Sequence, residues 1–168
     1  GKHEEAYDHF VQCYEMRKKL YGAGSVHPKL AQSLGGIGVL LTHLGRHEEA
    51  LLHDEKALAM QRELDAGKDS RAMHHCIGSL AVSLYNLGRR KEAATRCREA
   101  LDMKRRLCGG RDDINLSIAI INYATTLESA RELNEALKLL GEAEAMLGRL
   151  FPGGDDLRGS VLGKIGVI

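Results

Sequence analysis

At 168 residues, 43% of them hydrophobic, the chain is long enough to bury a core, but two Phe, five Tyr and no Trp leave that core largely to Ala, Leu and Ile. Such a palette suits closely approaching helices better than a β-sandwich, whose strands draw on β-branched and aromatic residues. A formal net charge of +1 sets up no global field for nucleic acid or a membrane surface, and no apolar run approaches the ~18 residues of a membrane span.

The first predicted element is a helix over about residues 3 to 21, opening in GKHEEA with Ala6 and Cys13 seven apart on one face. His27-Pro28 starts the second, 28 to 44, where a first-turn proline loses no hydrogen bond. Its apolar face is Leu34, Ile37, Gly38 and Leu41, and Gly45 ends it with a backbone that tolerates positive φ. GRHEEA (45 to 50) opens the third helix, 47 to 66, with Ala50 and Ala57. Asp69-Ser70 supplies cap oxygens for the fourth, 71 to 87, whose face is Ile77, Leu80, Ala81 and Leu84 and whose stop is Gly88. GRRKEA opens the fifth, 90 to 108, with Ala93 and Ala100, closed by Gly109-Gly110. Asp112-Asp113 precedes the sixth, 114 to 130, with Ile120, Tyr123, Ala124 and Leu127. RELNEA opens the seventh, 133 to 151, with Ala136 and Ala143, before Gly153-Gly154. Asp155-Asp156 precedes an eighth from about 157, whose Leu162, Ile165 and Ile168 are apolar, unlike the polar face of a terminal cap. A fragment of a longer array is therefore expected.

The elements form a repeat. Ala6, Ala50, Ala93 and Ala136 are 44, 43 and 43 residues apart, and the residue seven further on is Cys13, Ala57, Ala100 or Ala143. Small residues two turns apart on one face let another helix come close. Each unit is a pair of helices, A then B. The chain divides into a partial unit (1–26, helix B), three full units (27–70, 71–113, 114–156) and a partial unit (157–168, helix A), and the expected fold class is all-α.

This pattern resembles the tetratricopeptide repeat superfamily: spaced apolar residues around a small one in helix A, then two small residues seven apart in helix B. The usual unit of that family is 34 residues. The longer unit here, with its opening HPKLAQSLGGIGVLL, is similar to the kinesin light chain and nephrocystin-like subgroup. The resemblance implies a right-handed α-solenoid of antiparallel helix pairs, about eight helices in all. Its A helices would line a concave groove that receives an extended peptide or a helix of a partner protein. One step round from the buried stripe, the groove residues are Gln32, Gly35, Gly36, Val39 and Thr42, then His75, Gly78, Ser79, Val82 and Tyr85, then Ile118, Ile121, Asn122, Thr125 and Glu128. The subgroup's paired asparagines in this stretch have one counterpart, Asn122; Gly35-Gly36 and Gly78-Ser79 stand in the other units. Ile118 and Ile121 either offer a partner apolar contact or widen the buried stripe. Gly35, Gly36 and Gly78 each cost a helix interior about 1 kcal/mol relative to alanine, so either a partner backbone lies close to them or the packing tolerates them.

Chemistry at a single site has little support. His43 and His47 straddle a turn, so with His53 they make no ligand set of recognised spacing, and His74-His75 point to different faces; no metal and no cofactor is expected. Glutamates such as Glu48-Glu49 recur with the unit, as first-turn carboxylates favoured by the helix dipole do and a catalytic acid does not. No nucleophile elbow or phosphate loop follows a predicted strand, and no strand is predicted, so an enzyme is not expected. Cys13, Cys76, Cys97 and Cys108 lack CxxC spacing and read as free thiols of a soluble cytoplasmic protein. From Arg89 to Arg111 nine Lys or Arg face three acids, with Lys91, Arg98 and Arg105 in one stripe. Asp102 four residues from Arg98 and the lack of interleaved aromatics favour a solvated outer face over a nucleic-acid surface. The reading is a protein-interaction scaffold. The alternatives are an RNA-binding helical repeat and a structural or regulatory spacer of a larger protein.

Overall fold

Side-chain oxygens start three of the four A helices. In a computed structural model describing residues 1–168, Ser70 Oγ accepts from the Met73 N–H at 2.9 Å and Asp113 Oδ1 from the Leu116 N–H at 2.9 Å, while Asp155 accepts from the N–H groups of Leu157 and Arg158. His27 caps the remaining one through Nδ1, which accepts from the Lys29 N–H at 3.2 Å, with Pro28 following in the first turn. Eight helices result and no strand: α1 (Lys2–Tyr21), α2 (Pro28–His43), α3 (His47–Leu64), α4 (Arg71–Asn86), α5 (Arg90–Cys108), α6 (Ile114–Ser129), α7 (Leu133–Leu150) and α8 (Asp156–Val167). All bounds fall within two residues of those read from the sequence.

The A-to-B turns share one geometry. Arg46 N–H donates to Leu41 O, Arg89 N–H to Leu84 O and Glu132 N–H to Leu127 O, each reaching back five residues over a left-handed residue. That residue is Gly45 (φ 74), Gly88 (φ 75) and, in the third turn, Arg131 (φ 64). Such a bond satisfies carbonyls that a helix end leaves open. Arg131 is the costly member, because its Cβ crowds the backbone at positive φ.

The chain forms two compact units, Gly1–Arg89 and Arg90–Ile168, the boundary lying in the turn between α4 and α5. In the first, α1 packs on α2, α2 on α3, and α3 on α4. Ile37, Leu41 and Ala50 are buried together, with Tyr7, Val11 and Tyr14 of α1 closing over them. In the second, α5 packs on α6, α6 on α7, and α7 on α8. Its core joins Leu101 of α5, the α6 face (Leu116, Ile120, Tyr123, Ala124, Leu127), the α7 face (Ala136, Leu139, Leu140, Ala143, Leu147) and Val161 of α8. Ala50, Ala93, Ala136 and Ala143 have no exposed surface.

The last helix departs from the 43-residue register. Continuing it from α6 would turn Gly159, Gly163 and Gly166 inward. Instead Val161 is buried, and Leu157, Ile165 and Ile168 pack against the core. These four stand 41 residues after Leu116, Ile120, Ala124 and Leu127. The two-residue slip rotates α8 so that its branched side chains, not its glycines, are removed from water. Of the apolar residues noted there in the sequence, Ile165 and Ile168 belong to the core and Leu162 is exposed.

Two measurements test this packing. Ala143→Leu should cost about 1–3 kcal/mol in chemical denaturation by overpacking the α6–α7 contact; an unchanged midpoint would contradict the close approach. Arg131→Gly should stabilise the chain by about 1 kcal/mol through relief of the left-handed turn, read as a raised midpoint at unchanged slope.

Candidate functional site

None of the fifteen residues assigned to the A-helix faces is buried, and they divide by what they touch. In the first unit Gln32, Val39, His75 and Val82 are exposed, Val39 by 37% and Val82 by 50%. Gly35 and Gly78 stand 43 residues apart in α2 and α4, and a Cβ added to either would meet nothing within 4 Å. The helix backbone is bare at both places. Ser79 and Tyr85 are half-buried beside them, and Thr42, also half-buried, turns its hydroxyl back to Gly38 O at 3.1 Å.

Gly36 has a different reason. A Cβ there would fall 2.2 Å from Phe10 Cε1, so the ring of Phe10, projecting from α1, lies in the place the missing side chain leaves. Phe10 is itself part of the surface, 41% exposed. Two more residues of α1, each seven positions from Phe10, grip the same side of α2. His3 stacks on His43 with ring centroids 5.1 Å apart, and Arg17 Nη1 donates to Ser33 Oγ at 2.7 Å and Lys29 O at 3.0 Å. The sequence reading placed only A-helix residues on this face. The missed signal was the position four residues after the first alanine of helix B, held by Phe10, Asp54, Cys97 and Leu140, which varies and so drops out of a search for recurring residues.

In the second unit Ile118 (40% exposed) and Asn122 remain open on α6. Ile121 packs against the core, so the two isoleucines part ways: one widens the buried stripe and the other stays free. Thr125 is half-buried, and Glu128 lies 3.9 Å from Lys164 Nζ of α8, at the outer limit of an ion pair.

Three cations of the basic helix α5 are paired with acids within their own unit. Arg105 Nη2 lies 2.7 Å from Glu142 of α7 and Arg105 Nη1 3.7 Å from Asp102; Lys104 reaches Asp113 at 3.2 Å and Arg96 reaches Glu99 at 2.7 Å. Arg98 Nε donates to the hydroxyl of buried Tyr123 at 2.8 Å, which holds the Arg98 guanidinium above its ordinary pKa. The shallow cleft between these helices is lined by Arg98, Arg105 and Lys138 against Asp102, Glu135 and Glu142, three charges of each sign. The stripe is thus a mixed, solvated face and presents no continuous positive field.

No set of three or more His, Cys, Asp or Glu side chains converges as a metal site would. All four cysteines are free; burial pushes the Cys76 thiol up to about 11, with the charges of Asp54 and Asp65 adding to it, and burial raises Cys97 as well. Both thiols therefore stay protonated at neutral pH and are poor nucleophiles. No helix is long and apolar enough to cross a membrane.

Paired helices closed over small residues define a helical-repeat protein. Residues 1–63 and residues 75–115 each match the tetratricopeptide repeat family, together covering more than half of the chain, and the chain belongs to that family. No curated protein matches the sequence. Among solved structures it is similar to a putative kinesin light chain from Podosopora anserina with nearly identical TPR-like repeats, at TM-score 0.86 and 17% identity, covering 98% of this chain and 76% of that one. It is also similar to BtubC (BKLC) from P. vanneervenii, at TM-score 0.78 and 21% identity, covering 92% of this chain. The chain spans 60% of the length of BtubC. These likenesses give the fold, a kinesin light chain-like array of tetratricopeptide helix pairs. Repeats of this family generally mediate protein–protein interaction.

The two kinds of glycine separate by substitution. Gly35→Ala and Gly78→Ala should each stabilise the chain by about 0.5–1 kcal/mol, since alanine is the better helix former and meets no neighbour. Gly36→Ala should gain less or lose stability, because Phe10 must move. Equal gains at all three positions, measured by urea denaturation, would contradict the seating of Phe10.

Proposed function

We propose that the chain is a protein-interaction scaffold whose open A-helix faces hold an extended peptide or a helix of a partner protein. The observation that carries this reading is the surface of the first unit. There Val39 and Val82, each apolar and substantially exposed, stand beside Gly35 and Gly78, whose bare backbone serves no packing purpose inside the chain. Glycine in mid-helix costs stability, and close approach of a partner's main chain is a use that offsets the cost. Phe10 adds an aromatic edge, and the exposed Gln32 and His75 supply hydrogen-bonding groups on α2 and α4. In the second unit Ile118 offers apolar contact and Asn122 an amide that can pair with a peptide backbone. Thr42, Ser79, Tyr85, Thr125 and Glu128 border these faces, and Gly36 and Ile121 contribute mainly to the fold.

Protein is favoured over RNA as the ligand because Arg96, Lys104 and Arg105 of α5 are engaged with acids of the same unit, which reduces the charge free to release counterions from a phosphate backbone, and no aromatics interleave with the cations for base stacking. The reading needs no cofactor, metal or catalytic residue. Free thiols with raised pKa values suit a reducing, intracellular setting.

The test is a quantitative pull-down followed by direct titration of the recovered partner against three proteins: the unaltered chain, Val82→Glu with Asn122→Ala, and Gly35→Ala with Gly78→Ala. The first variant places a charge on an apolar contact and removes an amide, and should weaken binding at least tenfold, about 1.4 kcal/mol, with helicity intact. The second should bind more weakly while being the more stable protein. A partner that binds both variants like the unaltered chain would show that it docks elsewhere.

A further inference from the structure

One buried group has no use in the reading above. Asp54 of α3 is 2% exposed, and only one of its oxygens has a partner: Oδ2 accepts from Ser83 Oγ of α4 at 2.7 Å, while Oδ1 accepts from nothing. Oδ1 sits in the space left by the absent side chain of Gly38 in α2, 2.2 Å from where a Cβ would be. The carboxyl is therefore wedged at the meeting point of α2, α3 and α4. The corresponding residues of the other B helices are Phe10, Cys97 and Leu140. Cys97 faces Thr126 at 3.5 Å, in the same register as Asp54 facing Ser83, so this one carboxylate replaces what is elsewhere an aromatic, a neutral thiol or an aliphatic group.

We propose that Asp54 is a proton-binding site that sets how firmly α3 holds α2 and α4, the two A helices of the first unit, so that proton uptake tightens them and proton loss loosens them. A buried carboxylate with a single hydrogen bond and no cation costs free energy that its neutral form does not. The surroundings offer no compensation. From α2 the carboxyl meets the Gly38 backbone, and the titratable residues of that helix, Lys29 and His43, stand at its two ends. From α4 come the Ser83 hydroxyl and the Cys76 thiol, which the Asp54 charge itself helps to raise; Arg71, His74 and His75 lie in the first turns of α4 and Tyr85 in its last. On α3, neighbouring His53 is lowered by its own burial and by Lys56 and Arg46, with Glu49 opposing.

Burial pushes the Asp54 carboxyl up to about 6 against the hydrogen bond from Ser83. An unfolded aspartate titrates near 4, so the fold binds this proton more tightly than the unfolded chain does. The stabilisation is complete below about pH 4 and is lost as pH rises through about 6. His53 works in the opposite sense, its lowered value favouring the fold at higher pH. Any effect of Asp54 on partner binding rests on the A-helix reading proposed above, whereas the clamp itself can be measured on the chain alone, so either can fail without the other.

Hydrogen exchange of the whole chain, corrected for intrinsic rates, provides the experiment, with the α6 and α7 amides as internal reference. Between pH 5.0 and 7.5 the opening equilibrium of the α2, α3 and α4 amides should rise about tenfold from the Asp54 contribution alone. Asp54→Asn should remove that increment and lower opening at pH 7.5; Asp54→Leu, copying Leu140, does the same should the asparagine variant fold poorly. Ser83→Ala, which deprives the ionised form of its only donor, should raise opening more at pH 7.5 than at pH 5.0. An unaltered pH dependence in both Asp54 variants overturns the proposal.

Discussion

Everything in this molecule hangs on how closely two helices can approach when the contact residue is alanine. Ala50, Ala93, Ala136 and Ala143 are wholly removed from water, and Ala57 nearly so. The facing large residues, among them Ile37 and Leu41 in the first unit and Ile120 and Leu127 in the second, are buried in the same clusters. The turns between paired helices are short because the helices are close, and they adopt one hydrogen-bonded form in all three instances, even where Arg131 must take a conformation better suited to glycine. Tertiary packing thus overrules a local preference of about 1 kcal/mol.

Close approach also explains where the repeats are allowed to differ. The position four residues beyond the first alanine meets an A helix, α2 for Phe10, α2 and α4 for Asp54 and α6 for Cys97, and its occupant must fit what the facing residues leave. Phe10 fits because Gly36 is bare, and Asp54 fits because Gly38 is. Cys97 meets Thr126, a pair of moderate size. Phe10 and Asp54 each stand against a glycine of α2, while the chemistry at this position runs from aromatic to ionisable. Glycine in the A helices is therefore of two kinds. Gly36 and Gly38 are fitted to neighbours within the chain, whereas Gly35 and Gly78 face open space.

This distinction marks the limit of what the sequence could tell. The helices, their caps and the small-residue stripe were legible because they recur: a residue type repeated at 43-residue spacing reports a shared backbone environment. Phe10 and Asp54 were illegible for the same reason, since nothing at their position recurs. The A-helix face was partly legible. Helical projection put the fifteen residues outside the core, yet it could not separate Ile118 from Ile121, which are three residues apart and differ only in whether a core residue happens to reach them. The inward face of α8 was not read from the sequence beyond the apolar residues Leu162, Ile165 and Ile168. A physical cue lies in the glycines at 159, 163 and 166: continued spacing would turn these three inward with Val167 as the only branched side chain among them, whereas a slip of two residues buries Val161 and packs Leu157, Ile165 and Ile168 against the core.

A repeat architecture of this kind separates folding from recognition more cleanly than a globular core does. Residues that set the helix spacing are small and alike in every unit, so they carry no information about a ligand. What distinguishes one unit from the next lies on the open face and at the wedge position behind it. The first unit presents Val39, Val82, two bare stretches of backbone and the edge of Phe10; the second presents Ile118 and Asn122. On the function proposed above, each unit would offer a partner a different surface. Asp54 couples the two layers in the first unit, because the side chain that fills the wedge there can change its charge. Its titration acts on the spacing of the very helices that carry the exposed valines.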